Sequence, residues 1–201
     1  MSAQKKVWWK GGALLAPVPP VLVTCGTAEH CNVLTIGWTG ICATHPPMTY
    51  ISVRPTRHSY GIIRESGVFA VNLATAGMVK TVDFCGVRSG RDTDKIKVCG
   101  LHPCAAEGSG VPILTESPLS LICKVKEIIP LGSHDMFLAE ITDTAADASL
   151  IDENGRLDLS RAGLLAYAHG EYFSLGKQLG TFGFAVRRKR KKPARKGGGQ
   201  T

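Results

Sequence analysis

Arg54, Arg57 and Ser59 fall on one short stretch where an apolar, extended run ends and a helical pattern begins. Together they offer guanidinium and hydroxyl donors to an anion. A phosphate calls for this chemistry, because guanidinium forks and the unpaired amides of a helix N-terminus each favour a dianion. The competing reading puts both arginines in surface ion pairs, which contribute little. A second candidate is His134, in the turn Gly132-Ser133-His134-Asp135 ahead of a strand, where it either faces a ligand or stands as a solvated turn histidine. Cys99, His102 and Cys104 form a third grouping, but they lack the paired short spacings of a structural zinc site and read better as unreactive thiols. No metal site is expected.

These residues must be held by the elements around them. Val21 to Cys25 is a β-branched run after prolines, and Asn32 to Ile41 resumes an extended Thr- and Ile-rich pattern, so each reads as one strand. Met48 to Val53 and Val68 to Leu73 supply two more, with a helix between them over Ser59 to Glu65 whose N-terminus Ser59 could cap. Ala76 to Cys85 has the spacing of a second short helix, and the polar run Arg88 to Lys95 reads as a loop. Leu119 to Ile129 and Asp135 to Thr144 are further strands about a Pro-Leu-Gly-Ser turn, and Asn154-Gly155, between Leu150-Ile151 and Leu157-Leu159, signals a hairpin. The pattern is mainly β with a few helices, closer to a barrel than to a doubly wound parallel sheet.

With 201 residues, 44% of them hydrophobic and 20% charged, the chain is long enough for one substantial core. The net charge of +8 is concentrated at the end: residues 187–196 hold eight basic side chains and no acid, and without them 16 basic residues face 16 acidic ones. The division expected is one domain over residues 1–186 and a basic, disordered tail over 187–201. Seven cysteines at irregular spacing, with no secretory leader in view, point to free thiols and the cytoplasm. The first apolar stretch is broken by glycines and prolines, so no membrane span is expected. Neither a Gly-x-Gly-x-x-Gly turn nor a phosphate loop ending in Gly-Lys-Ser or Gly-Lys-Thr is present, which removes the Rossmann and nucleoside-triphosphatase readings.

One ordered set of segments is more specific. Asn32-x-x-Thr35 is followed by Trp38 and a Pro46-Pro47 turn. Ser52-x-Arg54-Pro55-x-Arg57-x-Ser59 comes next, then Phe69-Ala70-Val71-Asn72-Leu73, Ser89 to Lys95, Ser133 to Glu140 and Tyr172 to Lys177. In this order they resemble the FMN-binding split β-barrel of the flavin reductase family, in its flavoredoxin-like branch, from about Leu14 to Ala185. The resemblance implies an FMN-dependent oxidoreductase that moves electrons between NAD(P)H, or a redox protein, and an acceptor. It places Ser59 and Lys95 among the polar contacts to the flavin nucleotide, with Thr56 beside them. It puts Asn32, Thr35 and Trp38, within the same pattern as Ser52 and Asn72, along the ring. His134 and one of Tyr167 and Tyr172 join the site. Taken singly, Trp38 reads as core, Asn32 as a turn residue, and Asn72 as a partner for neighbouring backbone.

The resemblance further implies a homodimer with the flavin near the subunit boundary. His30-Cys31 departs from the acidic-Gly turn common in relatives, which bears first on Asn32. Two rival readings stand beside the leading one. A flavin reductase could use free flavin as a diffusible substrate. A non-catalytic barrel could instead bind nucleic acid through its tail, but the basic run carries no interleaved aromatics, and a nucleic-acid partner is not expected.

Overall fold

The computed structural model describes residues 5–187. The basic tail expected over residues 187–201 therefore lies, beyond Arg187, outside the described residues.

Strand β1 (Val21–Gly26) is buried along nearly its whole length, as a strand covered on both faces must be. Val21, Val23 and Cys25 enter one core cluster, while Leu22 enters a second on the opposite face. The chain then turns at Gly26, whose φ of +93° suits glycine and where a Cβ would collide with the His30 carbonyl oxygen. Strand β2 (Cys31–Ile36) returns antiparallel to β1.

Here the expectation of one strand over Asn32 to Ile41 is corrected. The extended pattern breaks at Gly37-Trp38, and β3 (Thr39–Thr44) begins a new pairing with β4 (Pro47–Val53). The remaining large strands are β5 (Val68–Asn72), β8 (Leu119–Pro130) and β9 (Asp135–Ala146). The seven form one sheet in the order β2-β1-β5-β8-β9-β4-β3. Because β2 and β3 occupy its two ends yet are joined by only two residues, the sheet must curl until its ends meet. In effect one bent strand adds its first half to β1 and its second half to β4. The bend leaves the seam between β2 and β4 open along part of its length, bridged where the Ser52 amide donates to the Trp38 carbonyl at 3.0 Å. A barrel split on one side results.

Helix α1 (His58–Ser66) caps the barrel and sends Ile63, fully buried, into a core that holds Phe69, Phe137, Ile51 and Val53. Truncating such a side chain costs about 2–5 kcal/mol. The proposed cap by Ser59 is corrected: Arg57 holds the cap position without a side-chain bond, and Ser59 points inward. Helix α2 (Val79–Val87) covers the other face of β2 with Val82 and Cys85. The run from Arg88 is a loop, as expected, ending in the single turn of α3 (Lys95–Cys99), which Asp94 caps by accepting from the Lys97 amide.

Two small hairpins complete the fold: β6 (Pro103–Ala105) with β7 (Pro112–Leu114), and β10 (Leu165–Ala168) with β11 (Glu171–Ser174). The Asn154-Gly155 turn is present, with Gly155 at φ +75°, but its expected strands are not. A single Ile151–Leu157 bridge closes the turn, and the Asp152 carboxylate accepts from the Asn154 and Arg156 amides. That carboxylate meets the local backbone donors, so the segment needs no ladder. Among the described residues no helix is long and apolar enough to cross a membrane.

Candidate functional site

The open seam is a cleft of about 340 Å³, a size in the range of small-molecule sites. One wall comes from the bend, Ile36-Gly37-Trp38, and from Ser52 to Arg54 at the end of β4, with Arg57 beyond. The opposite wall comes from α2, through Asp83, Gly86 and Val87, and from Tyr167 and Tyr172 of the β10–β11 hairpin. Eight of the residues singled out by sequence therefore meet in one place: Thr35, Trp38, Ser52, Arg54, Arg57, His134, Tyr167 and Tyr172.

Trp38 is 47% exposed, so it is not core. Its ring centre lies 4.6 Å from that of His134, tilted by 46°, and the two form an aromatic ledge in the cleft that the arginines also line. Thr35, which lines the cleft, donates its hydroxyl to the Val82 carbonyl; this ties β2 to α2 and leaves the oxygen able to accept.

The electrostatics of this wall are one-sided. Neither Arg54 nor Arg57 is in an ion pair among the described residues, where the pairs found are His102 with Glu116 and Lys126 with Glu140. The surface-pair reading of the arginines is thereby set aside. His134 is held below its ordinary value of 6.5, first by partial burial and then by Arg54 and Arg57. Lys95 is 4% exposed, and its pKa is pushed down first by burial, with Arg57 adding to the effect. Its Nζ donates to the Cys85 and Arg88 carbonyls at 3.2 and 3.3 Å, which leaves one N–H of the three for another acceptor. The α1 N-terminus adds amides with no side-chain cap and no acid in its first turn. Arg54, Arg57 and Lys95 thus carry charge that no carboxylate pairs with among the described residues, a balance that favours an anion over a cation on this wall.

Asn32 and Lys95 open instead onto a neighbouring depression of about 650 Å³, shared with His58 and the Gly90 to Asp94 loop. Asn32 donates to the Ser59 hydroxyl at 2.5 Å, and Ser59 is 2% exposed, so this bond ties β2 to the first turn of α1 from inside. Gly90 packs against Asn32: a Cβ there would push the Asn32 side-chain oxygen aside. Thr56 is exposed and lines neither depression.

Asn72 belongs elsewhere, and its place along the ring is corrected. Fully buried, it donates to the Leu22 carbonyl and the Thr24 hydroxyl, each at 2.9 Å, and accepts from the Leu114 amide at 3.0 Å and the Ser120 hydroxyl at 2.7 Å. All four of its hydrogen-bonding positions are used, which leaves nothing for a ligand. Cys99 packs in the core cluster beside α2, while His102 binds Glu116.

Sequence reasoning missed Asp83, the one carboxylate among the residues lining the cleft. It stands in an otherwise largely apolar helix, VKTVDFCGV, and only the partner strand reveals its role: the Tyr172 hydroxyl donates to it at 3.2 Å.

A mainly β split barrel whose seam gathers unpaired cations beside an aromatic ledge defines a class that the comparisons with known proteins identify. Residues 14–176 match the flavin reductase like domain, and the chain belongs to that family. Among solved structures it is similar to flavoredoxin of Desulfovibrio vulgaris (Miyazaki F), with a TM-score of 0.83 and 27% identity over 91% of this chain and 100% of that one. A curated relative, an NADPH-flavin oxidoreductase of Streptomyces viridifaciens, is 28% identical over 70% of this chain and 74% of its own length. An uncharacterized protein of Aeropyrum pernix is 32% identical over 63% of this chain, which spans about half (49%) of that relative.

Proposed function

We propose that the chain binds FMN at the barrel seam and serves as an oxidoreductase, taking electrons from NAD(P)H or a redox protein and passing them to an acceptor. The observation that carries the reading is the cluster of Arg54, Arg57, Lys95 and His134, basic groups with no acidic partner among the described residues, near a helix N-terminus without a side-chain cap. A dianionic phosphate offsets their mutual repulsion, whereas a neutral ligand does not.

When bound, FMN supplies the two-electron chemistry itself. This chain's residues bind, orient and shield. Arg54, Arg57 and the first amides of α1 hold the phosphate, with Lys95 reaching from below and Thr56 at the rim. Trp38 and His134 pack along the ring, Asn32 and Ser59 fix the floor, and the Ser52 hydroxyl, Thr35 and the Gly37-Trp38 backbone meet the polar ring edge. Tyr167 and Tyr172, 5.2 Å apart between ring centres, close the far wall. The named activities of the relatives, NADPH-flavin oxidoreductase among them, support an electron-transfer role for the same seam.

A homodimer is part of the proposal. The described termini carry apolar side chains in solvent, including Trp8, Trp9, Leu15, Leu179 and Phe182, and a second copy of this chain is the partner that covers them. Seven free thiols fit a reducing, cytoplasmic setting.

The test is direct. Purified protein should show flavin absorbance, or acquire it on titration with FMN, and Arg57→Ala should weaken FMN binding more than riboflavin binding. A folded, colourless protein that ignores added FMN overturns the proposal. Loss of flavin on desalting would instead favour use of free flavin as a substrate. Sedimentation of the full chain measures the dimer.

A further inference from the structure

The cleft is electrically divided. Its basic side chains, Arg54, Arg57 and His134, come from the β4–α1 connection and the turn before β9. Its one carboxylate, Asp83, comes from α2 on the facing wall, beside Tyr167 and Tyr172. Phosphate recognition explains the first group and leaves the second unexplained, since a carboxylate in an anion site opposes binding.

The acidic corner is built rather than incidental. Tyr172 donates its hydroxyl to Asp83 Oδ1 at 3.2 Å, which fixes that carboxylate and leaves its second oxygen without a partner among the described residues. The Tyr172 ring, half-buried, is tilted 58° against Tyr167 at 5.2 Å, and both rings line the cleft with Asp83. The hairpin that carries them is anchored by reciprocal backbone bonds between Val18 and Tyr167, both 2.9 Å. A carboxylate beside two tyrosine faces is the chemistry that selects a cation, through Coulomb attraction and the negative quadrupole of the rings.

We propose that Asp83, Tyr167 and Tyr172 form a subsite for a planar aromatic cation, of which an N-alkylated pyridinium is the chemical type. The inference rests on the proposed function, because the oxidised end of a nicotinamide donor carries such a ring, and it names the wall of the cleft that meets it. Asp83 thereby determines specificity by charge, while the arginines opposite remain occupied with phosphate. A flat ring gains from stacking on one tyrosine face as well as from the carboxylate. A compact cation gains only from the carboxylate.

The experiment uses the full chain loaded with FMN and follows binding by calorimetry, with no turnover involved. The probes are 1-methylnicotinamide (cationic and aromatic), nicotinamide (aromatic and neutral) and tetramethylammonium (cationic, without a ring). The expected order places 1-methylnicotinamide about fivefold tighter than either of the others, with the preference shrinking in high salt. Asp83→Asn should abolish the preference over nicotinamide, and Asp83→Glu should restore part of it. Asp83 is exposed, so both variants should fold, and FMN titration of each checks that the seam is intact. Equal binding of the two nicotinamides, or a preference that survives Asp83→Asn, overturns the inference while flavin binding stands. Failure of the wild-type chain to take up FMN strikes instead at the proposed function.

Discussion

Two polar regions of this barrel, one closed and one open, use similar side chains to opposite ends. Around Asn72, four elements meet in a dry network: β1 through Leu22 and Thr24, β7 through Leu114, β8 through Ser120, and β5 through Asn72 itself. Donors and acceptors there match one for one. Along the β2–β4 seam, Arg54 and Arg57 have no acidic partner among the described residues, and the third donor of Lys95 is left over there. A buried polar group with all its partners holds the fold together, whereas the exposed Arg54 and Arg57, and the buried Lys95 with a donor to spare, add little to it.

The comparison breaks first at the seam. Replacing Arg54 and Arg57 together by alanine should weaken FMN binding on the order of a hundredfold or more while leaving the melting temperature nearly unchanged, as fluorescence titration and calorimetry on the same samples will measure. Asn72→Ala should do the reverse. It strands Leu114 N–H and the Leu22 carbonyl in the core and should cost about 2–4 kcal/mol in denaturant unfolding, and material that stays folded should still bind flavin. Asn72→Ala protein of wild-type stability would sink the structural reading of that residue.

A finer test uses His134. In the flavin-free chain the folded state disfavours its proton, so the unfolded chain binds more protons just below pH 6.5. Stability contributed by neutral His134 is therefore full above that value and declines as pH falls toward the lowered folded pKa. A bound phosphate should raise that pKa by offsetting the arginines, and Arg54→Ala should raise it as well. An NMR titration of the imidazole that is indifferent to both would separate His134 from the arginine cluster.

The smallest effect concerns the thiols. Burial pushes Cys25 up to about 11 and Cys85 and Cys123 up to about 12, with Cys31 also at about 12, so alkylation at pH 8 should reach the exposed Cys42 and Cys104 first. Equal rates at all seven would contradict the packing.

Much of this was legible in the residues themselves. The β-branched alternation of Val21 to Cys25 and Met48 to Val53 fixed their strands, and the stretch from Arg54 to Ser59 was readable as the junction of a strand and a helix, where β4 passes into α1. What could not be read is whatever depends on a distant partner. The Thr- and Ile-rich run through Gly37 looks like one strand because each half is one, and only the meeting of the sheet's ends shows that the halves pair with different neighbours. Asn72 sits in the resemblance yet is consumed by contacts 42 to 50 positions away in the chain. Asp83 is silent for the same reason, since its meaning comes from Tyr172, 89 positions on.

The two-residue bend at Gly37-Trp38 bears on self-association as well as on the cleft. Unpaired strand edges invite foreign strands and seed aggregates. Here both edges of the main sheet belong to one continuous piece of backbone folded back toward its own seam, so an intruding chain would have to pry the barrel apart before it found a ladder to extend. Lengthening that link by a few glycines should therefore loosen the closure and make the protein more prone to precipitate, even where the native hydrogen bonds of every strand are retained.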